Sequence, residues 1–167
     1  MRRRFFLDLA AMAVVASASA ASALAPQASN PVLIVTGAIA NPNSQDGALF
    51  DEAMLMALGT STIRTTTPWT DGVVEFVGPT LASLLEAVGA KGTVLHAVAV
   101  NDYAIDLDAG ELLRYGAMLA MKQDGKALSL RDRGPLWLVL PREQHPELMD
   151  EAHNAKWIWQ LKTIEIR

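Results

Sequence analysis

The clearest apolar periodicity in the chain is helical. Leu81, Leu84, Leu85 and Val88 stand at i, i+3, i+4 and i+7, preceded by Thr80 and followed by Gly89, which predicts a helix over 80–88. A shorter helix is expected after Asp51, with Met54, Leu55 and Leu58 on one face and Gly59 as its stop. A third runs from the cap Asp108 through Arg114 to Gly116. Between these lie short β-branched or apolar runs. Residues 32–35, 61–67, 73–77, 93–100, 103–107 and 136–140 read as strands. Residues 117–122 and 126–128 flank Asp124-Gly125, the signal of a type I′ hairpin. The stretch 41–47, rich in Asn, Pro, Ser and Gly, reads as a loop.

At the C-terminal end, Trp157, Trp159 and Leu161 alternate on one strand face, and then the apolar parity moves to Ile164 and Ile166. A one-residue slip exchanges the faces of a strand, so a bulge near Lys162-Thr163 is expected. Many short strands with about three short helices interspersed describe a mixed, strand-rich α+β domain.

The 167 residues suit one folded domain, and 51% hydrophobic with 19% charged residues supplies a core and argues against disorder. The net charge is -4, and residues 1–25 hold three arginines and one aspartate, so the remainder is more negative still. An acidic domain lacks the basic footprint of a nucleic-acid binder and is a poor match for anionic lipid. There is no cysteine, which removes disulfides, thiolate zinc sites and cysteine nucleophiles together.

Residues 1–25 read as a signal peptide. Arg2-Arg3-Arg4 is the basic region, 9–16 the short apolar region, and 17–25 a run of small residues with cleavage expected between Ala20 and Pro26. Arg2-Arg3-Arg4-Phe5-Phe6-Leu7 also resembles a twin-arginine signal. The expected product is periplasmic or secreted, with no stable membrane span in its mature form. Residues 26–31 form a short mature tail, and 32–167 the domain.

Five segments carry a family resemblance: Thr65-Thr66-Thr67-Pro68-Trp69, Gly78-Pro79-Thr80-Leu81, Asn101-Asp102-Tyr103-Ala104, Trp157-Ile158-Trp159-Gln160-Leu161, and the run 131–142 around Gly134-Pro135-Leu136-Trp137. Together they resemble the molybdopterin-binding domain of the sulfite oxidase superfamily, in particular its small, exported, single-domain members, over 32–166. The resemblance implies the strand-rich fold of that domain, a molybdopterin cofactor and an oxidoreductase activity. The superfamily's enzymes hold molybdenum through a cysteine thiolate, a soft ligand suited to that metal. With no cysteine in the chain, molybdenum is not expected.

Counting back from Gly78, the family's ligand position falls near Thr66 or Thr67. A threonine hydroxyl is a weak molybdenum ligand that can hydrogen-bond an oxo group or a phosphate, and a Thr-rich strand is the alternative. Asn101, Asp102 and Tyr103 follow an apolar strand. They suit either the donor and acceptor edge of a pterin or an ordinary Asx turn. Arg131, Arg133 and Arg142 bracket the Gly134-Pro135 pair and could grip a phosphate through their planar forks, or pair locally with neighbours such as Asp132. Trp69 is the tryptophan expected at a pocket wall, whereas Trp157 and Trp159 read as core. His145 and His153 read as surface residues. Serine-hydrolase spacing, a P-loop, a dinucleotide fingerprint and an EF-hand loop are all missing.

The expected ligand is therefore a pterin or an anionic small molecule, held without a cysteine-ligated metal at a surface that includes Thr66, Asn101 and Arg131. An extracytoplasmic signalling or redox partner would complete the system. The alternative is a cofactor-free periplasmic sensory or interaction module with a vestigial pocket.

Overall fold

A computed structural model describes residues 24–167. The expected signal peptide lies outside the described residues except for Leu24 and Ala25. Among the described residues there are eleven strands, three α-helices and three short 3-10 helices. No helix among them is long and apolar enough to cross a membrane.

The central layer is a five-stranded sheet. Its order is β2 (Ala48–Phe50), β1 (Leu33–Gly37), β11 (Leu161–Ile166), β5 (Val94–Ala99) and β6 (Ala104–Asp108). β1 runs parallel to β11, and every other pairing is antiparallel. Inward residues alternate: Leu33 and Val35 on β1, and Leu95, Ala97 and Ala99 on β5, are all buried. On β11 the buried set is Leu161, Ile164 and Ile166. The register against β5 shifts between Leu161 and Thr163, so the expected bulge is present and converts one parity into the other.

A four-stranded sheet packs nearby, in the order β3 (Ser61–Thr67), β4 (Thr70–Gly78), β8 (Lys122–Gln123) and β9 (Lys126–Ala127). The hairpin between β8 and β9 has positive φ at both Asp124 and Gly125, as a type I′ turn requires. The expected strand 117–122 is divided. Met118–Ala120 forms β7 and pairs with β10 (Trp137–Val139), whereas Lys122 and Gln123 pair with β4. This division lets one short run of chain serve two sheets.

The helices are α1 (Glu52–Ala57), α2 (Leu81–Val88) and α3 (Ala109–Tyr115). Each begins on a side-chain cap at Asp51, Thr80 or Asp108, which accepts a backbone N–H that the helix leaves free. α2 buries Leu81, Leu84, Leu85 and Val88 and ends at Gly89, whose φ of 60° is open to glycine at little cost. Asp51 also reaches upstream: its second carboxylate oxygen accepts from the N–H groups of Ala28 and Ser29, at 2.9 and 3.1 Å. The tail is thereby tied to the start of α1. Leu24 packs on the core, and the Ala25 carbonyl accepts from Asn43 Nδ2 at 2.9 Å.

Two elements differ from expectation. β2 occupies three residues, too few to show a period. The segment around Trp157 and Trp159 is not a strand. It follows the 3-10 helix Glu151–Lys156, makes one isolated bridge from Trp159 to Trp137, and enters β11 only at Leu161. The alternation of Trp157 and Trp159 reflects packing against other indoles.

Candidate functional site

All four tryptophans meet in one cluster, with Trp69 touching the other three. Its ring centre lies 5.1 Å from Trp159 at an interplanar angle of 82°, 6.2 Å from Trp157 and 6.3 Å from Trp137. Such tilted and edge-to-face pairs use the positive ring edge against the negative face, and contribute about 0.5–1.5 kcal/mol each beyond their burial. Trp137 and Trp157 are buried, and Trp69 and Trp159 are half-buried. The cluster therefore has a core side and an open side.

Trp69 sits on the tight turn between β3 and β4. Thr67 Oγ1 accepts the Trp69 backbone N–H at 3.1 Å and lies 2.8 Å from Thr70 Oγ1. From the other side, Arg133 donates from Nη2 to the Trp69 carbonyl at 3.0 Å. The Arg133 guanidinium also lies over the Trp137 ring, 5.2 Å from its centre, in a cation–π contact. Arg133 has a φ of 70°, and its own carbonyl accepts from the Gln160 N–H. Gly134 follows in close contact: a Cβ there would collide with the Leu128 carbonyl. The close approach that glycine allows here is made to the protein's own backbone.

The open side of the cluster is a pocket of about 310 Å³. Trp69, Trp157, Trp159 and Tyr103 supply its aromatic walls, and Ala99, Ala155 and Ile158 fill the gaps between them. Asn101, Asn154 and Tyr103 are the lining residues with polar side-chain oxygens, and no charged side chain lines the pocket. Asn101 Oδ1 accepts from the Tyr103 N–H at 3.2 Å, so the Asx turn and the pocket position coexist in one residue. The Tyr103 hydroxyl donates to the Ala155 carbonyl at 3.4 Å and joins the β5–β6 turn to the 3-10 helix across the pocket. Two lining residues carry a buried polar atom with no hydrogen-bond partner: the acceptor Asn154 Oδ1 and the donor Trp157 Nε1. An unmet group of this kind costs about 1–3 kcal/mol.

Of the residues singled out in the sequence, Trp69, Asn101 and Tyr103 line this pocket. Thr67 and Arg133 hold Trp69 from behind. Asp102 is exposed, with a φ of 63°, between two lining residues. The remainder lie elsewhere. Thr66 gives its hydroxyl and its N–H to Glu143 Oε1, at 2.6 and 3.3 Å. Arg142 donates to the Met149 carbonyl at 3.3 Å. Arg131 is exposed on the 3-10 turn Leu130–Asp132. Thr66, Asn101 and Arg131 do not converge on the pocket. Asn154 and Ala155 carry no local signal in the sequence, because only the tertiary fold brings their segment against Trp69.

A family model for the oxidoreductase molybdopterin binding domain matches residues 53–166. The chain belongs to that family. The chain also has the fold of a solved chain from the sulfane dehydrogenase SoxCD of Paracoccus pantotrophus, with a TM-score of 0.58 and 20% identity. That match covers 80% of this chain and 37% of the SoxCD chain, so the domain corresponds to well under half of the larger protein. No curated protein matches.

The family implies a molybdenum–pterin group, and the donor set tests its two halves separately. The metal half does not fit. The domain has no thiolate, and the hydroxyls of Thr65, Thr66 and Thr67 all take part in hydrogen bonds with protein atoms. Among the described residues no three His, Cys, Asp or Glu side chains come together as a metal site. The heterocycle half is compatible with the pocket, whose aromatic walls and amide groups suit a flat, hydrogen-bonding ring.

Proposed function

We propose that this protein is a metal-free binding domain for a pterin-type heterocycle. The observation that carries this reading is the pocket itself: aromatic rings from three separate segments around a space of about 310 Å³, with two asparagines as its polar side-chain amides. Ligand sites combine apolar walls with a few polar groups in this way. The lactam edge of a pterin, one N–H beside one C=O, offers the complement to the unmet acceptor of Asn154 and donor of Trp157.

The test is calorimetric titration of the purified protein with a free pterin, beside metal analysis of the same preparation. Saturable binding near one pterin per chain, weakened about tenfold by Trp159→Ala or Asn101→Ala, is expected, with molybdenum far below one per chain. Absence of binding, or stoichiometric molybdenum, overturns the reading.

We also propose that the protein is exported, on the strength of the basic, apolar and small-residue order of residues 1–25. Cell fractionation tests this. Replacement of Arg2 and Arg3 by lysine separates a twin-arginine route, which would be blocked, from general secretion, which would continue.

A further inference from the structure

We infer that the pocket selects a pterin without phosphate and discriminates against the phosphorylated form that the family name suggests. This rests on the pterin reading above and narrows it.

The argument is one of charge placement. A phosphate taken out of water needs charged or closely spaced donors, and burying it without them costs several kcal/mol. No Lys, Arg or His lines the pocket. The arginines that might have served are committed elsewhere. Arg133 is held between the Trp69 carbonyl and the Trp137 face. Arg142 is turned to the Met149 carbonyl. Arg131 is exposed on the turn Leu130–Asp132, beside Asp132, and outside the lining.

The charges that flank the lining residues do not favour an anion: Lys156, between Ala155 and Trp157, is already paired with Glu111. Asp102 lies between the lining residues Asn101 and Tyr103 and is exposed. Thr66 lies outside the lining, and its hydroxyl is bonded to Glu143, so it offers an anion in the pocket no donor. The chain as a whole is acidic, at -4, so its long-range field also repels an anion. Aromatic walls and side-chain amides, by contrast, suit an uncharged ring or one carrying a proton.

The decisive comparison uses two probes that differ only in the ester: a hydroxymethylpterin and its phosphate monoester. Each is titrated into the full protein and into two variants. The wild type is expected to bind the free alcohol at least about tenfold more tightly than the ester. Ala155→Lys places a cation on an exposed lining residue and is expected to narrow or reverse that ratio. Asp102→Asn is expected to narrow it less, and raised salt should erase the Asp102 effect first.

Equal or tighter binding of the ester by the wild type overturns the inference and leaves the pterin reading standing. An unchanged ratio in Ala155→Lys, with the free alcohol still bound, overturns the charge argument alone. Failure of both probes to bind removes the pterin reading and this inference with it.

Discussion

Arg133 and Trp69, 64 positions apart in the chain, are joined by a hydrogen bond from the guanidinium to the backbone carbonyl. Because the bond is made to the main chain, it fixes where the β3–β4 turn stands and leaves the indole ring free to serve as a wall. The same guanidinium covers Trp137, so one side chain couples the buried and the open sides of the tryptophan cluster.

Arg133→Ala should therefore act at two levels. Loss of a hydrogen bond from a charged donor is expected to cost about 1.5–3 kcal/mol in denaturant melts. Pterin affinity should fall as Trp69 shifts. Arg133→Lys should recover little of either, since an ammonium cannot lie flat on Trp137 while it bonds the Trp69 carbonyl. Full recovery by lysine would show that charge alone matters at this position.

Leu84 is fully buried on α2. Leu84→Ala should cost about 2–5 kcal/mol through lost transfer energy and the cavity left behind. A change below about 1 kcal/mol would mean that α2 does not hold the core as described.

Asp51 should make the fold sensitive to acid. Hydrogen bonds from the N–H groups of Met54 and Ala28, the two largest influences, hold its carboxyl below the ordinary value of 3.8, against the opposing effect of burial. A carboxylate with a lowered folded pKa stabilises fully above that ordinary value. Its contribution is lost as pH falls through the lowered one. Asp51→Asn keeps a capping oxygen but cannot titrate, so its melting midpoint should change less between neutral pH and pH 3 than that of the wild type. Parallel curves for the two proteins would remove Asp51 from the acid response.

The mature N-terminus should lie at or before Leu24, which packs on the core, while the Ala25 carbonyl is used by Asn43. If the protein is exported as proposed, intact-mass measurement of the periplasmic fraction gives the cleavage site directly. A mature chain beginning at Pro26 would show that the domain dispenses with both contacts.

Much of the architecture was legible in the sequence because it is written in local signals. The three helices announce themselves through Asp51, Thr80 and Asp108 at one end and, for α2 and α3, Gly89 and Gly116 at the other. The bulge beside Lys162 followed from apolar parity alone. The Trp157 segment was misread as a strand because two alternating indoles mimic a strand period when they pack against a third. The pocket was legible only in part. Trp69, Asn101 and Tyr103 stand in recognisable motifs, whereas Asn154 and Ala155 reach the pocket through an irregular 3-10 segment. The roles of the arginines could not be read locally: whether a guanidinium meets a ligand or the protein's own carbonyl depends on contacts far away in the chain.

The position of β11 carries a kinetic consequence. This strand joins β1 to β5 at the middle of the five-stranded sheet, so neither half of the sheet is complete before residues 161–166 have been synthesised. Closure of so long a loop must precede the contacts that reward it, which makes assembly late and slow. A nascent chain would lack its central sheet and stay open to chaperones until residues 161–166 have emerged from the ribosome. Deletion of the last strand should accordingly give a chain that collapses without a cooperative unfolding transition.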